Sequence, residues 1–133
     1  MKLGADIVTV STDTQFVHLA WHRSEGELKD VKYTMAADPN GKISKLFGVY
    51  MDDAGVALRG TFIINPEGVL LGQEVLFLNY GRNIDELMRR FKACLYLSKK
   101  TDEACPAKWT GEGDKTLTPG PEMVGHVHEA LEG

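Results

Sequence analysis

The chain has no excess of positive charge. Its 15 Lys and Arg are outnumbered by 19 Asp and Glu, for a net charge of −4. That balance gives no electrostatic ground for nucleic-acid binding, and no long Lys/Arg cluster hides within it. Long apolar runs are missing as well. None approaches the roughly 20 residues of a spanning helix, so no membrane partner is expected. The opening MKLGADIVTV lacks the long apolar stretch and small-residue cleavage site of a signal peptide, and the chain reads as cytoplasmic. Cysteine is scarce: Cys94 and Cys105 are the two in 133 residues. Two cysteines make no disulfide scaffold, and their spacing fits no zinc pattern. In a reducing compartment a disulfide is more often transient and catalytic than structural.

What is present suits one globular domain with a hydrophobic core. Residues 5–12 (ADIVTVST) are rich in β-branched side chains and read as a buried strand ending in a turn. A helix follows, with Phe16, Leu19, Ala20 and Arg23 at helical spacing and Asp13 as its expected cap. VKYTMAA is a weaker strand closed by the turn DPNG, and KISKLFGVY a short helix that Gly48 stops. Residues 61–64 and 69–77 form a hairpin around NPEG. The last helix starts at Asn83, with Glu86 three residues on as in a capping box. Ile84, Leu87, Met88, Phe91, Cys94 and Leu95 share one of its stripes. From Thr101 onward Pro and Gly interrupt every pattern. The order β-α-β-α-β-β-α defines an α/β chain, with a domain over residues 1–100 and a tail over 101–133.

Few residues in this frame carry chemistry. Cys105, in EACPAKW, is either an incidental thiol or a reactive one that a mobile tail presents, its pKa lowered by Lys108. Cys94 reads as a small core hydrophobe. Arg59 and Arg82 are either solvated edge charges or guanidinium groups that stabilise an anion or thiolate. His18 and His22 stand four apart, a spacing that can hold a metal. No HExxH glutamate and no third ligand accompany them, so they read as surface or interface histidines rather than a metal site. Trp21 and Trp109 read as packing residues.

Taken together, VSTDTQFVHLAWH, DPNG, RGTFIINPEG, YGR and EACPAKW stand in an order and spacing that closely resemble the typical two-cysteine peroxiredoxins, in particular the branch of the alkyl hydroperoxide reductase C proteins. The resemblance implies a thioredoxin-like α/β fold and thiol-dependent reduction of hydrogen peroxide and alkyl hydroperoxides, with no cofactor. It makes Cys105 the resolving cysteine, Arg59 the residue that stabilises thiolate and peroxide, and Arg82 its support. Phe16, His18 and Trp21 correspond to the segment lining the dimer interface. It further implies a homo-oligomer, a dimer or a ring of dimers such as a decamer, and a thioredoxin- or flavoprotein-type thiol reductant.

One family element has no counterpart. The peroxidatic cysteine belongs to a T-x-x-C motif, which this sequence does not contain. The fold is therefore expected to be N-terminally truncated and the lone chain inactive, needing a complementing N-terminal peroxiredoxin fragment. The alternative is a non-enzymatic assembly or thiol-disulfide partner of a full-length peroxiredoxin. In the family sheet a further strand would lie between residues 5–12 and 61–64. Without it both edges are left open, and each buried unpaired group costs about 1–3 kcal/mol against a total stability of about 5–15 kcal/mol.

Overall fold

The computed structural model of the protein describes residues 2–132. Strand β1 (Val8–Ser11) leads into helix α1 (Gln15–Ser24). Asp13 does not cap this helix. Thr14 does, its hydroxyl accepting from the Val17 N–H at 3.4 Å. The correction is one residue and follows from geometry: the cap's side chain must meet a backbone N–H two or three positions on. A single 3-10 turn at Gly26–Leu28 brings the chain back to β2 (Thr34–Ala37). β2 pairs parallel with β1, from Val8 opposite Thr34 to Ser11 opposite Ala37. Parallel strands need a crossover, and α1 supplies it.

The DPNG turn is built around Asp38. Its carboxylate accepts from the N–H of Ile43 and from the N–H and hydroxyl of Ser44, at 3.0, 2.8 and 2.7 Å. Burial alone would raise this carboxyl. The bonds from Ile43, Ser44 and Lys42 outweigh it, and Asp38 sits below the ordinary carboxylate range. These bonds tie down the start of α2 (Lys42–Leu46). Gly41 enters that helix at φ +68°, where a Cβ would run into the Tyr50 ring. At the other end Gly48 has φ +69° and donates to the Lys45 carbonyl, stopping the helix as expected.

A small antiparallel pair, β3 (Tyr50–Met51) and β4 (Val56–Ala57), has no signature in the sequence. Two-residue strands are too short to show periodicity. β5 (Arg59–Ile64) and β6 (Leu70–Leu76) form the hairpin, with β5 starting at Arg59 rather than at 61. Its turn closes through Asn65, whose side-chain oxygen accepts from the Val69 N–H at 2.8 Å.

Helix α3 (Ile84–Leu97) begins at Asn83, whose side-chain oxygen accepts from the Glu86 N–H at 3.0 Å. The Glu86 carboxylate does not return to Asn83 but turns to Arg89 and Arg90, so the capping box is only half made. Residues 101–132 are more ordered than a loose tail. Ala104 and Leu117 exchange backbone hydrogen bonds of 2.7 and 2.9 Å. A 3-10 turn at Pro121–Met123 and α4 (Val127–Glu132) follow.

Among the described residues the strands form three separate two-stranded sheets. As expected, β1 and β5 do not pair with each other, and among the described residues β2 is the only strand that pairs with β1. Val8 and Val10 of β1 and Ile64 of β5 are exposed, Val8 at 60%, while Phe62 and Ile63 are half-buried. Among the described residues Val49 and Trp109 are the buried hydrophobics. The chain groups into two units. One runs through Thr61 and takes in residues 74–80; the other comprises residues 62–73 and everything from Gly81 on. Among the described residues no helix is long and apolar enough to cross a membrane.

Candidate functional site

Cys105 lies in the second unit, on the segment that follows α3. Trp109, four residues on, is 2% exposed and packs its ring against Tyr96 of α3 at 5.4 Å. Its carbonyl accepts from Arg89 Nη1 at 3.0 Å. Two residues before the thiol, Glu103 accepts from the Tyr96 hydroxyl at 2.6 Å. The stretch from 103 to 109 is thus fastened to α3 at both ends, near Tyr96 and near Arg89. Cys105 is half-buried within it.

This environment is not the one the sequence suggests. Burial pushes the Cys105 thiol up, and the Glu103 carboxylate pushes it further; Arg89 pulls the other way, and Cys94 adds a smaller upward push. Lys108 plays no part in the shift. It is exposed, and the cation facing the thiol comes from α3. Arg89 itself is held by Glu86, which receives Arg89 Nε at 2.6 Å and Arg89 Nη2 at 2.9 Å. Arg90 Nε adds a third donor at 2.9 Å. Those two arginines hold the Glu86 carboxyl at about 2. Cys94 is half-buried and its thiol is also pushed up by burial, which suits the small core hydrophobe read from the sequence.

The other sequence-derived candidates lie apart. Arg59, at the start of β5 in the first unit, is exposed, and its Nε–H donates to the Leu78 carbonyl at 2.7 Å. That bond fixes the direction of the guanidinium. Arg82 is exposed in the coil before α3, in the second unit. On α1, Phe16 is largely exposed and Trp21 partly so, whereas His18 is buried. His18 Nε2 lies 2.5 Å from Ser11 Oγ, tying α1 to β1. His22 Nε2 meets the Val31 carbonyl at 3.2 Å instead, so the two histidines do not converge. Among the described residues no group of His, Cys, Asp and Glu is arranged to hold a metal.

Arg89, Glu103, Tyr96 and Thr116 escaped sequence reasoning. Their signal was faint: Arg89 stands seven residues before Tyr96, and therefore on the same face of α3. Nothing in the sequence shows the return of the segment after α3 onto that face.

Comparison with known proteins agrees with this architecture. The AhpC/TSA family model matches residues 1–72. Alkyl hydroperoxide reductase C of Salmonella typhimurium is 41% identical over 126 residues, covering 95% of this chain and 67% of that protein. The Staphylococcus aureus protein of the same name is 44% identical over 126 residues, covering 95% and 66%. Among solved structures, the reduced 2-Cys peroxiredoxin of Plasmodium vivax superposes with a TM-score of 0.83 at 29% identity, covering 91% of this chain and 63% of that one. The fold is the thioredoxin-like α/β fold of peroxiredoxins. The chain belongs to the AhpC/TSA family. It spans about two thirds of the length of the curated relatives it matches.

Proposed function

We propose that this chain carries the resolving half of thiol-dependent hydroperoxide reduction, with Cys105 as the resolving thiol. The observation that carries the reading is the placement of Cys105. It is one of two cysteines in the chain, half-buried, under the opposing charges of Glu103 and Arg89, on a segment clipped to α3. Cys94, on α3 itself, has the environment of a packing residue.

In this reading a peroxidatic thiolate outside these residues attacks the peroxide O–O bond. It becomes a sulfenic acid and releases the alcohol or water. The Cys105 sulfur then attacks the sulfenic sulfur, forming the S–S bond and expelling water, and a dithiol reductant reopens the disulfide by exchange. Arg59 orients a charged donor fork towards peroxide and thiolate, and Arg82 supports it. Phe16 and Trp21 offer apolar surface to a second protomer, with His18 stiffening α1 behind them through Ser11. The partners are other family members and a thioredoxin- or flavoprotein-type reductant, in a reducing, cytoplasmic setting. Taken alone, these 133 residues reduce no peroxide, since neither cysteine occupies a peroxidatic position. The open ladders β1–β2 and β5–β6, with their exposed apolar side chains, suit strand addition by a polypeptide bearing the peroxidatic helix.

The test is co-expression with a relative's segment that contains the peroxidatic helix. Co-purification and peroxide turnover that Cys105→Ser abolishes are expected. Turnover by the purified chain alone, lost on Cys94→Ser or Cys105→Ser, would overturn the proposal.

A further inference from the structure

Residues 103–117 close a loop against α3. The backbone pair between Ala104 and Leu117 joins its ends. One carboxylate oxygen does more than that pair. Glu103 Oε2 accepts from the Tyr96 hydroxyl on α3 and from the Thr116 hydroxyl on the returning strand of the loop, each at 2.6 Å. Lys100 Nζ stands 3.9 Å from the other oxygen. Three pieces of chain thus meet at Glu103: the end of α3, the segment leading to Cys105, and the strand that closes the loop. The Glu103 side chain is 19% exposed, so these bonds are shielded from competing water. Both donors are neutral hydroxyls and the acceptor is charged, the stronger class of hydrogen bond.

We propose that Glu103 is a positioning residue for Cys105: its carboxylate clasps the loop to α3 and sets how often the thiol is presented for reaction. The inference rests on the reading of Cys105 as the resolving thiol only for what the thiol is presented to; the clasp itself follows from the bonds. Glu103 acts in two separable ways. Through Tyr96 and Thr116 it holds the loop shut. Through its charge it opposes the thiolate, against Arg89 on α3, while Cys94 and Tyr96 are the other titratable groups facing the thiol.

Variants separate the two. Tyr96→Phe and Thr116→Val each delete one donor and leave the charge; Glu103→Gln weakens both bonds and removes it. Iodoacetamide labelling is followed at Cys105 and Cys94 by mass spectrometry between about pH 7 and 10, where thiols titrate. The expected Cys105 rate rises several-fold in Tyr96→Phe and Thr116→Val with its pH midpoint unmoved. In Glu103→Gln it rises about tenfold, more than in either single-donor variant because both bonds lose their charge assistance together, and the midpoint moves down. Cys94 labels at the wild-type rate throughout. An unchanged Cys105 rate and midpoint in Glu103→Gln would overturn the proposal. So would a parallel rise at both cysteines in Thr116→Val and Glu103→Gln, which would mean general loosening. Labelling needs no peroxide and no partner, so this outcome is independent of whether Cys105 resolves a sulfenic acid.

Discussion

At the level of single residues, the cation that acts on the Cys105 thiol is Arg89 on α3 rather than the nearby Lys108, and Arg89 is itself held by Glu86. Glu86 receives both arginines that follow it one turn on, and its carboxyl sits at about 2 rather than 4.5. The sign of the consequence follows from linkage. A lowered carboxyl pKa gives stability that is fully present above 4.5 and is lost as pH falls through about 2. Thermal melts between those values should show the melting temperature falling, and Glu86→Gln should flatten that fall. An identical pH profile in the variant would remove Glu86 as the cause. A second residue-scale prediction concerns Gly41. At φ +68° any L-side chain is strained, and a Cβ would meet the Tyr50 ring. Gly41→Ala should destabilise by about 1–2 kcal/mol from the backbone conformation alone, with more from the ring, measurable by urea denaturation.

At the level of elements, caps and turns were the most legible features. Asn83, Gly48 and the hairpin turn behave as read, because each acts through bonds within a few residues. Asn83→Ala should cost about 1 kcal/mol, the usual value of a helix N-cap, and should leave Cys105 labelling untouched. What stayed hidden is what depends on folding back. The β3–β4 pair is too short for a pattern, and Thr14 displaces Asp13 by the reach of one side chain. The segment after α3 looked loose because Pro and Gly interrupt its periodicity. Its order comes from Trp109, Glu103 and Thr116, residues whose partners lie on an earlier helix or across the loop. Trp109→Ala should therefore have a large effect, about 3–5 kcal/mol for a buried Trp, and should raise Cys105 labelling well beyond Cys94. A loss below about 1 kcal/mol would place Trp109 outside the core, where side chains cost little to change.

At the level of the whole molecule, the family is set by motif order and matched by comparison. The open strands and the exposed apolar side chains of β1 and β5 are the features that a lone copy of this chain leaves unused. The site divides between what the sequence shows and what it does not. Cys105 and the two arginines stand out by motif; the charge balance around the thiol does not, since Arg89 and Glu103 make it by pulling in opposite directions. The most direct measurement of the central claim is disulfide mapping. A full-length family member with its own resolving cysteine replaced by serine is mixed with this protein, treated with one equivalent of peroxide, and digested without reduction. The expected result is one new cross-link, joining the peroxidatic cysteine to Cys105, absent in Cys105→Ser and retained in Cys94→Ser. A cross-link through Cys94, or none at all while the peroxidatic cysteine is seen to oxidise, would contradict it.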